Sequence, residues 1–542
     1  MSGTALPHPD PPPERAATFI VVMLILSACA IFALAARWAL EMHGFAEDLG
    51  LTHDLARDAG SAVGWEGVWQ RWVGPLWGPG SSMWRPWAYT SLALDAWLWG
   101  ADGRLWHLTN LALHASASGI TALLAWHLMQ SRLAAASAFA AMLLNPWSPE
   151  ILFWLVGRFD GWATTLMLLS LVALGADRFK RALAVSLLAA AGTYLSKESA
   201  LLLPVLVAIV IAVGGLREQR REAMVTISAH LALAILYLAL RMLTVGTSST
   251  AVYALPNAGG NMPFARVRAF FDAFTAHARA MAWPEPAADG VGAALVAVTA
   301  LAFVLALSSG RGELRRTSLL AVLWIGAVLA AVALHFPHVL PGADGARLYY
   351  AAAPAHALLL GAGFAGLTAR RPEARSIGMA FGAVFLLLPN AVLFAQGGRA
   401  WQQASRHVEH AADAIAQIVR THRGDRGYGL VMLADREGAV PLFRNAQGGI
   451  LSLAARRSPD IEPAVDFVVP MTDRQIEEWG QLMKERVVTR LTPRNDAPEA
   501  PTQFWCLDAV QGQAIALGHW PPDEDWPARW RESARRCVGL SP

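Results

Sequence analysis

Apolar runs of about 20 residues, the length that crosses a bilayer, recur along the chain up to Asn390. Their spacing predicts eleven helical spans, at 17–38, 107–129, 133–147, 150–176, 182–196, 199–215, 223–244, 290–308, 317–335, 349–367 and 376–396. The third and fifth are short. Two polar breaks are long, 39–106 and 245–289. The start, "MSGTALPHPDPPPERAA", is proline-rich and polar, so 1–16 is expected to be a disordered tail. The run after it is too long and unbroken for a cleaved signal, which makes it a retained span. Past 396 the pattern changes. "GRAWQQASRHVEHAADAIAQIVRTH" places alanine and isoleucine at heptad-like intervals and predicts an amphipathic helix. "GYGLVMLADRE" and "PAVDFVVPM" predict short strands, and "TDRQIEEWGQLMKERV" a helix with a threonine cap. The expected fold class is an α-helical polytopic membrane domain over 17–396, followed by a small α/β domain over 397–542. That second segment is long enough for its own core.

Composition strengthens the membrane reading. Of 542 residues, 55% are hydrophobic and only 16% charged, where a soluble domain carries about 25%. The net charge of +3 says little about partners; the position of the basic residues says more. Five short connections hold them: Arg132; Arg178, Lys180 and Arg181; Arg217, Arg220 and Arg221; Arg311, Arg315 and Arg316; Arg370, Arg371 and Arg375. Alternating spans put all five on one side, which the positive-inside rule makes cytoplasmic. The N-terminus is then cytoplasmic, and both long loops and 397–542 are extracytoplasmic, a bacterial inner membrane being the expected setting. Cys29 falls in the first span and is expected to be inert packing. Cys506 and Cys537 fall in the outer segment, where a disulfide between them would persist.

The polar sequence gathers on that outer face, whereas carriers keep their key groups near the midplane in repeated halves. "FAEDLGLTHDLARD" holds the adjacent acids Glu47 and Asp48 just after the first span; a carboxylate there is placed to take a proton from an attacking hydroxyl, or is a solvated loop acid. "MWRPWAYTSLALDAWLWGADGRLWHLTNLALHA" holds Arg85 before the helix-starting Pro86. His107, Asn110 and His114 follow on one helix face, as a polar lining or as interhelical hydrogen bonds. They lack a third strong ligand at a metal-binding spacing. Tryptophans crowd the same loop and suit the headgroup layer. "NPWSPEILFWLVGRFDGW" carries Arg158 and Asp160, about 12 Å into a span that starts at Glu150, able to pair with each other or to serve a phosphate. "TYLSKESALLLP" sets Lys197 beside Glu198, a charged turn between spans or a polar site. Tyr237 and Arg241 end the seventh span, and "HFPHVLPGADGARLYY" brings Arg347 and Tyr350. Several cations on one face suit an anionic lipid head.

Read in order, "F-x-E-D", "W-R-P-W…S-L-A-L-D…H-L-T-N-L-A-L-H", "N-P-W-S-P-E…W-L-V-G-R-F-D", "L-S-K-E-S-A-L-L-L-P" and "A-R-L-Y-Y" resemble the GT-C glycosyltransferases, in particular bacterial relatives of the transmembrane O-mannosyltransferases. The resemblance covers roughly 40–355 and is most specific over 84–204. It implies a GT-C-like domain that takes a sugar from a polyprenyl phosphate at the outer face and passes it, with inversion, to a hydroxyl of a protein, lipid or glycan acceptor. Asp48 would be the base with Glu47 as partner or alternate, although the family's leading acid is usually aspartate. Arg85, Arg158, Lys197 and Arg347 would hold the carrier phosphate. His107, Asn110, His114, Asp160, Glu198, Arg241 and Tyr350 would line the site, Glu198 orienting Lys197 or holding a substrate hydroxyl. A divalent cation is compatible with the acid pair and not required by it. Besides membrane lipids and these substrates no partner is implied; no nucleotide fingerprint stands out and no nucleic acid is expected. Rival readings are a polymerase or ligase for lipid-linked glycans, a flippase, and a non-catalytic envelope scaffold.

Overall fold

Backbone in lipid has to satisfy its own hydrogen bonds, so apolar runs of this length become helices. In a computed structural model of the chain, described over 14–421 except 46, 79–80, 216–218, 247–262, 285–288, 337–341 and 371–374, they do. Beyond 421 the structure describes 429–434, 436–437, 440–442, 453–454, 465–471, 502–508 and 513–520. The membrane helices are α1 (Glu14–Ala39), α5 (Gly103–Met129), α6 (Arg132–Leu143), α8 (Arg158–Ala173), α9 (Phe179–Ser196), α10 (Leu203–Ala212), α11 (Arg220–Val245), α13 (Asp289–Leu307), α14 (Gly312–His335), α15 (Ala353–Arg370) and α16 (Arg375–Thr421). Each predicted span meets one of them. Among the described residues, seven segments are long and apolar enough to cross a membrane. The other four are α6, α9, α10 and α16; of these α6 and α10 are the shortest, at roughly 18 and 15 Å. Both are packed largely against other helices instead of lipid. The chain is an integral membrane protein.

Small residues let these helices close on one another. α15 packs between α6 and α13, and a side chain at Gly361 would meet the Ala134 carbonyl at 2.6 Å, one at Gly363 the Ala302 Cα at 2.4 Å. Such close approach is how membrane helices gain contact without a hydrophobic driving force. Cys29, expected to be packing, is exposed on α1 instead.

The first long loop, expected only as a polar break with a helix start at Pro86, is largely helical. It holds α2 (Glu47–Asp58), α3 (Ala62–Val73) and α4 (Pro86–Trp99), the last opened by Pro86 as the sequence implies. Ser61 caps α3: its hydroxyl accepts from Gly64 N at 3.1 Å and donates to the Asp58 carbonyl at 2.6 Å. The second loop holds α12 (Pro263–Ala282).

The fourth span is broken. α7 (Pro149–Phe153) gives way to a 3₁₀ turn, Leu155–Gly157, before α8 begins at Arg158. Arg158 therefore starts a helix; it is not two turns inside one. Tyr349 and Tyr350 lie on a further 3₁₀ segment, Gly342–Ala352.

The last span and the amphipathic helix after it are one element: α16 has 47 residues and passes through Pro389. No helix end falls at 397. The expected strands appear as β1 (Gly429–Ala434) and β4 (Val465–Met471), joined by β5 (Thr502–Asp508) and β6 (Gln513–Trp520) in the order β4-β1-β5-β6. β1 runs parallel to β4 and β5, and β6 antiparallel to β5. Short β2 (Arg436–Glu437) and β3 (Val440–Pro441) pair beside α16. The helix expected over "TDRQIEEWGQLMKERV" and the Cys506–Cys537 bridge lie outside the described residues and side chains.

Candidate active site

The junction where the fourth span breaks gathers the charged residues. Lys197 closes α9 with extended backbone, φ −163° and ψ 143°, and successive side chains of extended chain point to opposite sides. Lys197 and Glu198 consequently part company. Lys197 Nζ reaches both carboxylate oxygens of Asp160, on the first turn of α8. Glu198 turns to the first loop, where its Oε2 accepts from Arg85 Nε at 2.9 Å and Nη2 at 2.8 Å and its Oε1 from Trp84 N at 3.2 Å. Glu198 thus orients Arg85, and the expectation that it serves Lys197 is corrected. Arg347 forms a third pair, with Glu150 of α7, whose other oxygen accepts Arg347 N at 2.7 Å. The Arg347 guanidinium also lies 4.5 Å from the centroid of Trp154. Arg85 and Arg347 both act electrostatically on Lys197. Three of the four expected phosphate ligands thus come together from segments far apart in sequence.

Beside them an aromatic stack runs from Trp84 to Tyr237 to Tyr194, with centroid separations of 5.7 and 5.4 Å. Arg241 lies at its edge and donates through Nη2 to the Ser82 carbonyl at 2.6 Å. The buried hydroxyls of Tyr194 and Tyr237 and the Arg241 Nε find no protein acceptor or donor among the described residues. Buried polar groups are normally hydrogen-bonded, so these three call for a partner.

Arg158, the fourth expected phosphate ligand, is a correction. It is fully buried and ion-paired with Asp95 of α4, not with Asp160. Its Nε donates to Asn110 Oδ1 at 3.0 Å, Nη1 to the Ser91 carbonyl at 3.3 Å and Nη2 to the Trp106 carbonyl at 2.8 Å. All three guanidinium nitrogens are engaged by the protein, so Arg158 ties α4, α5 and α8 together. Of the two readings of the α5 stripe, interhelical bonding is the one observed, and the site-lining role is corrected. His107 bonds the Leu152 carbonyl through Nδ1 at 3.0 Å, and Asn110 donates to the carbonyls of Ile151 at 2.8 Å and Trp154 at 3.0 Å. His114 donates from Nε2 to the Leu143 carbonyl, so its Nδ1 accepts the Tyr350 hydroxyl at 2.7 Å. All four side chains are fully buried and bind helices together. His107 and Asn110 hold carbonyls on either side of the break in the fourth span, and His114 holds the one at the end of α6.

Asp48 meets the same break. It is buried, and its carboxylate accepts from Leu155 N at 2.8 Å, Val156 N at 3.1 Å and Phe45 N at 3.4 Å. Asp48 and Arg347 so grip one stretch, 154–156, from two sides. The Glu47 side chain lies outside the described ones. Among the described residues no three His, Cys, Asp or Glu side chains gather as a metal site.

Sequence reading missed Asp95, Glu150 and Tyr194. The signal for the two acids was present: each is a carboxylate in an apolar run, which requires a cation. A further buried cluster, Ser170, Ser186 and His230, is interhelical bonding, with both hydroxyls within 3.3 Å of His230 Nε2 and Nδ1 on the Thr226 carbonyl.

No family model and no curated protein sequence matches the chain. Solved structures similar to it include ArnT from Cupriavidus metallidurans bound to undecaprenyl phosphate, 12% identical over 91% of this chain and 94% of that one, with a TM-score of 0.51. The apo form of that protein is 13% identical over the same shares, with a TM-score of 0.48. The archaeal oligosaccharyltransferase AglB from Archaeoglobus fulgidus, in complex with an inhibitory peptide and a dolichol-phosphate, is 12% identical over 74% of this chain and 62% of that one, at 0.43.

Proposed function

The chain has the GT-C fold, and from that premise we propose that it is a membrane glycosyltransferase drawing on a polyprenyl-phosphate sugar. The observation that carries the reading is that Arg85, Lys197 and Arg347, each held by its own acid, come from segments packed on one another, beside the unpartnered groups of Tyr194, Tyr237 and Arg241. Held cations are placed in advance for a phosphate and pay no reorganisation when charge develops on it. The ArnT structure of this fold holds undecaprenyl phosphate, the class of carrier we assign here.

In the reaction the sugar C1–oxygen bond to the carrier phosphate breaks while a new bond from C1 to the acceptor oxygen forms on the opposite face. The hydroxyl proton passes to a first-loop carboxylate, and the polyprenyl phosphate leaves among the three cations. Of the two acids, Asp48 is committed to three backbone N–H groups. We therefore assign the proton to Glu47 and give Asp48 the task of positioning the 154–156 stretch under Arg347.

The two acids are expected to separate in one experiment. Polyprenyl-phosphate sugars are measured by mass spectrometry in cells making wild type, no protein, Glu47→Gln or Asp48→Asn at matched abundance. One lipid-linked sugar should accumulate in all three deficient strains. Purified Glu47→Gln should melt as wild type does. Asp48→Asn should be less stable by about 1–3 kcal/mol, since an amide nitrogen then faces a buried N–H. Normal sugar levels with Glu47→Gln would return the base to Asp48. Identical levels in wild type and null cells would remove the transferase reading.

A further inference from the structure

The first loop encloses a cleft that the transfer site does not use. It lies between the end of α2, α3 and α4, with a volume of about 380 Å³, within the range of ligand clefts, about 300–1,000 Å³. It is on the other flank of α4 from Arg158. Tyr89, Ala93 and Trp97 face the cleft, whereas Ser91 and Asp95 of the same helix face Arg158.

The cleft is built rigidly. The α2–α3 corner is so tight that a side chain at Gly64 would meet the Asp58 carbonyl at 2.2 Å. Trp72 Nε1 donates to Thr90 Oγ1 at 3.0 Å and so fastens α3 to α4. Trp84 Nε1 donates to the Trp72 carbonyl at 3.1 Å, and Trp84 N to Glu198, so the same frame continues into the cation cluster.

Its lining alternates aromatic faces with oriented polar groups. Trp65 and Trp97 line it while remaining 49% and 59% exposed, so their ring faces are open to a ligand. Gln70 Nε2 donates to Glu66 at 3.3 Å, and Arg57 grips both oxygens of Asp58 at 3.1 and 3.3 Å. That hydrogen bond holds the Asp58 carboxyl below its usual range, which keeps it an acceptor. The Arg71 guanidinium lies 5.6 Å from the Tyr89 centroid, and its Nε is buried with no protein acceptor. Flat aromatic faces suit the C–H faces of sugar rings, and paired carboxylates, amides and guanidinium groups suit their hydroxyls. An anionic lipid head fits less well: three acids, Asp54, Asp58 and Glu66, face two arginines, Arg57 and Arg71.

We propose that the α2–α3–α4 cleft binds a neutral or cationic oligosaccharide, the already-built part of a glycan acceptor. Arg85 caps the start of α4, and Trp97 lies about 18 Å further along its axis at 1.5 Å per residue. That reach suits a chain of sugars more than a single one. The inference rests on the proposed transfer reaction for the word acceptor; the binding itself does not.

The test is saturation-transfer NMR on the full-length protein in phosphatidylcholine nanodiscs, titrated with mannotetraose, maltotetraose, chitotetraose and its de-acetylated form. At least one is expected to bind saturably. Trp97→Ala should weaken that binding about three- to tenfold and Trp97→Phe should restore most of it. Trp97 is exposed, so the variants should fold; matching melting temperatures check this. Gln70→Ala, at a second exposed wall, should weaken binding as well. Absence of saturable binding by all four sugars, or equal affinity in wild type, Trp97→Ala and Gln70→Ala, overturns the proposal. So does labelling of Trp65 or Trp97 by a photoreactive phospholipid that a bound sugar fails to reduce. Because turnover is not read, a failed transferase reading with intact sugar binding is seen as such.

Discussion

Lys197→Met is expected to lower turnover of the lipid-linked sugar by about 10²- to 10³-fold, the usual loss when one preset donor to a developing charge is removed. The same change should destabilise the protein by about 3–5 kcal/mol, because it leaves Asp160, only 8% exposed, without its cation. The two effects are separable. In Lys197→Met/Asp160→Leu the stranded carboxylate is gone, and replacing a buried ion pair with apolar residues is often neutral. Melting temperature should return close to wild type in the double variant while turnover does not. Thermal unfolding in detergent and donor consumption by isolated membranes give the two readings. Recovery of both would reduce Lys197 to a structural partner of Asp160, leaving the phosphate to Arg85 and Arg347.

Arg158→Met is expected to have the larger effect on folding. It strands Asp95 and takes donors from the Ser91 and Trp106 carbonyls and from Asn110. Breaking the ion pair alone costs about 3–5 kcal/mol, against a total stability of order 5–15 kcal/mol. Little monodisperse protein should be recovered. Arg158→Lys should rescue little, since one ammonium cannot supply the separated directions of a guanidinium. Arg158→Met/Asp95→Leu should recover part of the yield. If Arg158→Met purified and melted normally yet failed to consume the donor, Arg158 would belong with the phosphate ligands after all.

These two residues also mark the limit of what can be read along the chain. Helix existence was legible, because a run of apolar residues has one way to satisfy its backbone in lipid. Every predicted span met a helix, and β1 and β4 fell within their expected segments. The break at 154–157 was not legible: "FWLVG" is apolar throughout, and only tertiary partners reveal that Asp48, His107 and Asn110 take over its backbone groups. Pairing was hidden for a related reason. A charged residue in an apolar run announces that it has a partner without saying which, and the partners of Arg347, Arg85 and Arg158 lie 197, 113 and 48–67 residues away. Lys197 and Glu198 look paired because they are adjacent, yet one extended residue between α9 and the next turn separates them. The candidate cations were found; their individual tasks required the fold.

The continuity of α16 carries a mechanical consequence. Forty-seven helical residues amount to about 70 Å of rod. This rod runs from the last span, past the first-loop aromatic Phe45 set edge-on to Trp401 at 5.0 Å, to the strands β2, β3 and β6. A helix transmits angle as well as length. Each residue added or lost between 402 and 421 would shift the end of α16 by about 1.5 Å and turn it by about 100° around the axis. Only changes near a whole number of turns would keep the face of α16 that meets β2, β3 and β6 aligned with the face that meets Phe45.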